Sequence, residues 1–255
     1  MSQKLLGLTH YDTVVCFFHY SQCKNLRRVT LRTISSSGTL TQLAGLFVAA
    51  MDPSDPRTVP TALLVIDVQK NFWTENELVR TAFPTFPENV ANLLSVCRDS
   101  RSGIKLIVHV QAVYTEEGGS AWMPYFRALN PDKTDSAWNS PEEFAAPMVE
   151  QGTREEVVVE KPTFDAFLNT ELEEILKKAG IQQTFFAGLV TSACVQASAH
   201  GAFARGFCPV LFEDCCADRT VEKHLACLNI YGGYMYKRSR VALLRKMLGM
   251  ESSGE

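Results

Sequence analysis

The sequence has no excess of positive charge. Its 255 residues contain 25 lysines and arginines against 28 aspartates and glutamates, a formal net charge of −3 at pH 7. Nucleic acids and anionic membrane surfaces favour partners with concentrated positive charge. We therefore expect neither a nucleic acid nor a membrane as a partner, and the composition favours a small-molecule ligand.

Motifs for metal and nucleotide binding are also missing. The sequence has no Cys-x-x-Cys unit, its five histidines lack the spacing of zinc ligands, and no glycine-rich phosphate-binding motif follows a predicted strand. The eight cysteines are neither as dense nor as regularly spaced as those of a small secreted disulfide scaffold. These absences predict no metal ion or other cofactor, a reducing compartment and a cytoplasmic location.

The first 50 residues differ in charge from the remaining chain. They carry +4, which leaves −7 for the rest, and the run NLRRVTLRTISSSGTLTQLAGLFVAA has no acidic residue. This composition resembles a transit peptide, which predicts a mitochondrion or plastid as the alternative location. The alternatives are a disordered extension, or a segment that is dispensable if Met51 is the working start. With a linker predicted at 52–60, residues 1–58 form an N-terminal extension and residues 59–255 the folded domain.

Short apolar runs alternate with amphipathic segments from Thr61 onward. The runs are rich in β-branched residues or phenylalanine, as expected of strands buried on both faces of a sheet. Because such alternation implies right-handed crossovers, it predicts a three-layer α/β/α fold with a mostly parallel, Rossmann-like central sheet. The predicted strands span residues 61–67, 104–111, 155–161, 183–190 and 208–214.

Helical patterns lie between these strands. In residues 88–101, apolar side chains recur at the i, i+3, i+4 and i+7 positions of one helix face. In the run NTELEEILKKAG, an apolar stripe follows a capping box predicted for Thr170 and Glu173, and Gly180 supplies the helix end. A third helix is predicted to begin near Cys194.

Three chemically active residues follow predicted strands. Asp67 ends the first strand, Lys161 ends the third, and the turn after the fourth leads to Cys194. Ligands of open parallel sheets bind at the carboxyl ends of the strands. We therefore expect an acid, a base and a thiol to converge at one edge of the sheet.

This combination suits acyl transfer by a thiol. A cysteine attacks a carbonyl only as the thiolate, so the site must lower the thiol pKa or remove the proton at the moment of attack. A helix N-terminus at Cys194 and the charge of Lys161 favour the anion, and Asp67 can accept the proton and deliver it to a leaving amine. Each residue taken singly also has a structural interpretation. Cys194 can be a small apolar side chain buried in the core, and a strand-end Asp or Lys can be a cap or a solvated surface charge.

The other titratable residues are assigned to structure. His109 lies inside an apolar strand and is expected to be a hydrogen-bonded core imidazole. His200 follows Cys194 by six residues, which places it on another helix face about 9 Å along the axis, so it is not expected to act as a base. Packing roles are predicted for Cys208, Cys215, Cys216 and Cys227.

Three blocks of the sequence, in this order, resemble the motifs of the isochorismatase-like cysteine hydrolases. This superfamily includes nicotinamidases, N-carbamoylsarcosine amidohydrolase and isochorismatases. ALLVIDVQKNF resembles the first motif, VVVEKPTFDAFLNTELEEIL the second and FFAGLVTSACVQASAHGAFARGF the third. The resemblance covers roughly Thr61 to the mid-230s.

The resemblance implies a role for each residue of the cluster. Asp67 is expected to be the general acid and base, Lys161 to orient Asp67 and the thiolate, and Cys194 to be the nucleophile. The peptide bond between Leu189 and Val190 is expected to be cis, and the backbone N–H groups of Val190 and Cys194 to form an oxyanion hole. A homo-oligomer, dimer or tetramer, is also implied.

The expected reaction is hydrolysis of a C–N bond in a small amide, carbamoyl or ureide substrate through a thioester acyl-enzyme. Nicotinamidases bind a metal through histidines between the first two motifs, where this chain has only His109. The departure argues against a metal and against nicotinamide as the substrate. The alternatives are an isochorismatase-type vinyl ether hydrolase, a non-catalytic fold relative acting as a binding protein, and redox sensing through Cys194.

Several residues in the loops after strand ends are candidates for the substrate pocket. Gln69 fits either a hydrogen bond to the substrate or one that fixes its own loop. Aromatic residues in such loops wall a pocket or cover the core. The aromatic candidates are Phe72, Trp73, Tyr114, Trp122 and Phe164.

Overall fold

The computed structural model describes residues 55–114, 122–129 and 156–250. Within these ranges, six strands form one sheet in the order β3-β2-β1-β4-β5-β6, and every neighbouring pair is parallel. The predicted parallel α/β architecture is confirmed. The strands are β1 (Thr61–Ile66), β2 (Ile104–Ala112), β3 (Glu156–Lys161), β4 (Gln183–Leu189), β5 (Cys208–Ala217) and β6 (Lys237–Ser239).

Helices cover both faces of this sheet. The described helices are α1 (Glu77–Ala82), α2 (Phe86–Arg98), α3 (Trp122–Leu129), α4 (Leu172–Lys178), α5 (Gln196–Ala204), α6 (Val221–Tyr231) and α7 (Val241–Leu248). Successive residues of β1 point to opposite faces, so Leu63 packs in a core with α2 and α7 while Leu64 packs in a second core with α4 and α5. Both cores exclude water from the strand centres, which explains the continuous apolar runs.

One strand departs from the prediction of burial on both faces. Strand β3 lies at the edge of the sheet, with β2 as its neighbour. Val158 is 40% exposed, and Glu160 is also exposed. An edge strand receives no second neighbour and less cover from helices, so its apolar run VVVE did not indicate full burial.

Two local predictions are wrong. Thr170 and Glu173 do not form a capping box: Thr170 Oγ1 accepts from the Leu172 N–H at 3.3 Å, and the Glu173 carboxylate pairs with Lys177 and Arg205 instead. Cys208 is exposed at the start of β5, because the strand begins at the surface before entering the core. Cys215, Cys216 and Cys227 are buried as predicted.

The end of the predicted linker packs on the domain. The Thr58 N–H donates to the Asp55 carbonyl oxygen at 3.0 Å, and the Arg57 guanidinium donates to the Met247 carbonyl oxygen at 2.8 Å. Residues 1–54 lie outside the described residues, so the N-terminal extension and its targeting role stay predictions. Over residues 55–114, 122–129 and 156–250, no helix has the length and apolar character needed to cross a membrane.

Candidate active site

The carboxyl ends of β1 and β3 bring two opposite charges into contact. Lys161 Nζ lies 2.9 Å from Asp67 Oδ2, and both side chains are almost completely buried. Asp67 adopts a left-handed backbone conformation with φ of 51°, which is uncommon outside glycine but several-fold enriched in Asp. Its N–H donates to the Val110 carbonyl oxygen of β2 at 2.9 Å, so the neighbouring strand holds the residue in place.

Gly188 allows the thiol-bearing turn to approach Asp67. The register of β4 on β1 pairs Gly188 with Ile66, the residue before Asp67. Gly188 has φ of +130°, and a Cβ atom added there would lie 2.0 Å from the Ile66 carbonyl oxygen. No side chain fits at that distance. The glycine of the third motif is therefore required by the close contact of two strand ends.

Lys161 is held by one ion pair and two hydrogen bonds. Besides its ion pair with Asp67, its ammonium donates to the Thr163 carbonyl oxygen at 2.9 Å and to the Tyr114 hydroxyl at 3.1 Å. A buried ammonium is stable only when its hydrogens are satisfied in this way. The charge of Asp67 raises the pKa of Lys161 against the opposing effect of burial, so Lys161 stays a cation.

Cys194 rests as a neutral thiol. Burial, followed by the negative charge of Asp67, raises the pKa of the Cys194 thiol to about 12, although Lys161 and a hydrogen bond with Tyr114 lower it. Burial likewise raises the pKa of Asp67, while the charge of Lys161 lowers it. Of the two routes to a thiolate that the sequence left open, this arrangement favours removal of the proton at the moment of attack.

Cys194 lies in a π-helical turn, Thr191–Val195, that leads into α5. The Leu189–Val190 peptide bond before it is cis. Inside the turn, the N–H groups of Ala193 and Val195 donate to the Val190 carbonyl oxygen at 3.0 and 3.3 Å. The turn therefore begins directly at the end of β4 and carries the thiol to the start of the helix.

Asp218 holds this turn from the neighbouring strand end. Asp218 is fully buried, and its Oδ2 atom accepts from the Ser192 N–H at 2.7 Å. The Arg219 guanidinium donates to Asp218 Oδ1 and to Ser192 Oγ, each at 3.3 Å. Neither Asp218 nor Arg219 was predicted, because the sequence pattern placed the end of β5 at residue 214 instead of Ala217. With the correct end, Asp218 is the first residue after the strand.

The structure assigns different positions to the residues predicted to line the substrate pocket. Gln69 fixes its own loop: its Oε1 atom accepts from the Ala112 N–H at 2.8 Å, and its Nε2 atom donates to the Ala112 carbonyl oxygen at 3.2 Å. Trp73 packs in the core against Phe86. Phe72 is partly buried against that core and against Tyr114. Trp122 begins α3, and its side chain is not among those that the structure describes.

Tyr114 and Phe164 lie beside the thiol. Tyr114 Oη is 3.4 Å from Cys194 Sγ. The Phe164 ring meets the Tyr114 ring edge to face at 6.1 Å, and the Phe126 ring of α3 meets Phe164 edge to face at 5.7 Å. These three rings form an aromatic wall that leads from the surface helix α3 to the sulfur.

His109 and His200 make packing and hydrogen-bond contacts within the fold. His109 Nε2 lies 2.7 Å from Glu156 Oε2 in the buried sheet, which confirms the hydrogen-bonded core imidazole. Burial lowers the pKa of His109. His200 packs against Tyr231. Among the described residues, no group of three or more His, Cys, Asp or Glu side chains is arranged to hold a metal ion, and the absence of a cofactor stays a prediction.

The protein is a parallel α/β protein that carries a buried acid, lysine and thiol at the carboxyl edge of its sheet. The family model described as "Isochorismatase domain" matches residues 61–232, which include all three residues. The chain belongs to the isochorismatase family of hydrolases.

Curated relatives agree with this assignment. The chain is 29% identical over 196 residues to Nicotinamidase 3 of Arabidopsis thaliana, an alignment that covers 76% of this chain and 92% of the relative. It is 28% identical over 197 residues to maleamate amidohydrolase of Pseudomonas putida, covering 74% and 88%.

Solved structures share the fold. N-carbamoylsarcosine amidase from Thermoplasma acidophilum superposes with a TM-score of 0.58 at 20% identity, covering 72% of this chain and 97% of that structure. A cysteine hydrolase from Pseudomonas syringae pv. phaseolicola superposes with a TM-score of 0.64 at 18% identity, covering 79% and 97%. At these identities the likeness concerns the fold.

Proposed function

We propose that this protein is a cysteine hydrolase that cleaves the C–N bond of a small amide, carbamoyl or ureide substrate through a thioester acyl-enzyme. The observation that carries the proposal is the buried ion pair of Lys161 and Asp67 beside the Cys194 thiol. Charged side chains are almost never buried without a partner or a task. Here the pair supplies a base for a thiol that cannot ionise alone.

The first step is removal of the thiol proton. Asp67 takes the proton of Cys194 as the sulfur attacks the carbonyl carbon, so a C–S bond forms and the carbonyl electron pair moves onto oxygen. Lys161 keeps its charge throughout and compensates the negative charge that passes between carboxylate and sulfur. The raised pKa of Asp67 suits this role, because a stronger base accepts a thiol proton more readily.

Backbone N–H groups of the turn stabilise the oxyanion. The amides of Ser192, Ala193 and Val195 already have acceptors in Asp218 and the Val190 carbonyl, so they are not the donors. The amides of Val190 and Cys194 are the proposed oxyanion hole. Preorganised donors of this kind usually make the largest single contribution to acyl transfer.

The second half of the reaction releases the acid. The tetrahedral intermediate collapses, its C–N bond breaks, and the leaving nitrogen takes the proton from Asp67 and departs as ammonia or an amine. Asp67 then accepts a proton from water, and the hydroxide attacks the thioester carbonyl. The C–S bond breaks, and the thiolate recovers its proton from Asp67, which restores the resting thiol.

Two features favour particular substrates within this class. The aromatic wall of Tyr114, Phe164 and Phe126 favours a planar or apolar group next to the scissile bond. The Arg219 guanidinium beside the turn favours a carboxylate on the substrate. Maleamate amidohydrolase, a relative at 28% identity, is named for a small amide that also carries a carboxylate. Nicotinamide stays an unfavoured substrate, and a homo-oligomer stays a prediction.

The test measures ammonia release by the full chain from a panel of primary amides, carbamoyl compounds and ureides, each with and without a carboxylate. Cys194→Ala abolishes release, whereas Cys215→Ala retains it, because Cys215 is an equally buried cysteine that packs in the other core. Acid quenching during turnover yields an acyl adduct on Cys194 by mass spectrometry. Turnover that survives Cys194→Ala, or no turnover with any compound, contradicts the proposal.

A further inference from the structure

The Tyr114 hydroxyl contacts two members of the buried cluster at once. Its Oη atom lies 3.4 Å from Cys194 Sγ and 3.1 Å from Lys161 Nζ. Tyr114 follows β2, whereas Asp67 follows β1 and Lys161 ends β3. Three adjacent strands thus each contribute one polar group to the surroundings of the sulfur.

The direction of the two Tyr114 hydrogen bonds follows from donor chemistry. An ammonium has only donors, so the Tyr114 oxygen accepts from Lys161. In the resting thiol, either the Tyr114 hydroxyl or the Cys194 thiol can be the donor of the second bond. Once the thiol has given up its proton, the sulfur has no hydrogen left to donate, so the Tyr114 O–H is then the donor and Cys194 Sγ the acceptor.

The same contact grows stronger when the thiol loses its proton. A thiolate has no hydrogen to donate, so its contact with Tyr114 becomes a charge-assisted bond from a neutral donor to an anion. Such bonds are roughly twice as strong as neutral ones. The contact therefore stabilises the state after proton transfer more than the resting state, which is the condition for a contribution to the rate.

The Tyr114 side chain is fixed and keeps its proton. Only 3% of the residue is exposed, the Phe164 ring packs on it, and the N–H of Val113 before it donates to the Lys161 carbonyl oxygen at 3.0 Å. Burial, followed by the charges of Cys194 and Asp67, raises the pKa of the Tyr114 phenol well above its usual value. Its hydroxyl is therefore a donor at every working pH.

We propose that Tyr114 is a fourth catalytic residue, whose hydroxyl donates a hydrogen bond to Cys194 Sγ and stabilises the thiolate during attack. The inference rests on the proposed function for the reaction that this thiolate performs. The contact between Tyr114 and Cys194 can be tested without amide hydrolysis, because it affects every reaction of the thiolate. Tyr114 thus does more than form the wall of the pocket.

The experiment compares the alkylation of Cys194 by iodoacetamide in the full chain and in Tyr114→Phe. The second-order rate constant is measured across the neutral and alkaline range, and the labelled cysteine is located by mass spectrometry. The pH dependence of this rate gives the pKa of the Cys194 thiol, because mass spectrometry assigns the label to that one cysteine. Among the residues that the structure describes, the groups that affect the sulfur are Asp67, Lys161 and Tyr114 itself, so removal of one hydroxyl leaves both charges in place.

The expected result is a fall of about ten- to a hundredfold in the alkylation rate at each pH below the thiol pKa, with a matching upward shift of that pKa, since this is the usual worth of a hydrogen bond to a charged group. In hydrolysis, kcat falls more than KM changes. Should the phenyl variant not fold, Tyr114→Met fills the space without a hydroxyl and carries the same expectation.

Tyr236→Phe is the matched control. Tyr236 is also 3% exposed, and its hydroxyl donates to Gln196 Oε1 at 3.1 Å. The Tyr236→Phe variant therefore loses an equally buried hydrogen bond, and we expect a similar drop in melting temperature. Its Cys194 is alkylated at the same rate as in the unmodified chain. An equal loss of rate in both variants, or an unchanged thiol pKa in Tyr114→Phe, overturns the inference. A Tyr114 effect on alkylation without hydrolysis of any amide leaves the inference standing and overturns the proposed function.

Discussion

Lys161 Nζ and Asp67 Oδ2 lie 2.9 Å apart, although β2 separates the strands β3 and β1 that carry them, and neither side chain is exposed by more than 1%. Water does not screen this pair, so each charge depends on the other. Residues 94 positions apart in the printed sequence therefore form one electrostatic unit, and its removal affects stability and catalysis differently.

The first prediction separates these two effects. In Lys161→Met, the Asp67 carboxylate is left buried without compensation, so the free energy of unfolding falls by about 3 to 5 kcal/mol. In the double variant Asp67→Leu with Lys161→Met, no charge remains to be desolvated, and most of that stability returns. Amide hydrolysis stays absent from both. Urea unfolding near neutral pH measures the effect, and a double variant no more stable than the single one contradicts it.

The second prediction concerns the pH dependence of hydrolysis. The reaction begins with Asp67 as a carboxylate, and burial raises the pKa of Asp67. Activity is therefore full above this raised pKa and is lost as the pH falls through it, at a pH higher than the value of about 3.9 for an exposed aspartate. Asp67 titrates together with its neighbours. The pKa read from the acid side of the activity profile therefore belongs to the whole cluster and not to Asp67 alone.

The measurement is the profile of kcat/KM against pH, with circular dichroism at each pH to exclude unfolding. An acid limb at or below the ordinary aspartate value, in a chain that is still folded, contradicts an initial proton transfer to Asp67.

The third prediction tests the close approach of β4 to β1. In Gly188→Ala, the new Cβ atom would lie 2.0 Å from the Ile66 carbonyl oxygen, so the strands must separate and the turn that holds Cys194 moves away from Asp67. We expect a loss of more than about 3 kcal/mol of stability, beyond ordinary overpacking, and little remaining hydrolysis. Thermal unfolding and ammonia release measure the two effects.

Gly180→Ala is the control for this substitution. Gly180 also has a positive φ, +68°, but an added Cβ meets nothing within 4 Å. It therefore reports backbone strain alone, about 1 to 2 kcal/mol, with hydrolysis retained. Equal losses in the two variants would mean that φ, and not the contact with Ile66, explains the need for glycine.

The fourth prediction concerns the support of the turn by Asp218. In Asp218→Ala, the Ser192 N–H loses its buried acceptor, which costs about 1 to 3 kcal/mol, and kcat falls because the oxyanion donors lose their fixed positions. Asp218→Asn retains an oxygen acceptor and recovers part of kcat. Steady-state kinetics give kcat and thermal unfolding gives the stability of both variants. Equal kcat values for the two variants would contradict a positioning role.

The fold and the central cluster were predictable because their signals are local. The apolar runs that form β1, β2 and β4 predicted the sheet, and the strand-end rule singled out Asp67, Lys161 and the turn to Cys194. The same rule failed where the end of a strand was misplaced: β5 continues to Ala217, so Asp218 was overlooked. The exposure of β3 was also not predictable, because an edge position depends on strand order and not on the run VVVE.

By itself, the sequence determined the parallel α/β architecture, the family resemblance and the three residues at the strand ends, since periodicity and short motifs are encoded in neighbouring residues. Only the tertiary structure decided that Gln69 fixes its loop, that Trp73 belongs to the core, and that the Tyr114 hydroxyl touches Cys194. It also decided that the thiol rests protonated. The reason is physical: pKa values and hydrogen bonds depend on burial and on contacts between distant segments, and those arise only when the strand ends meet.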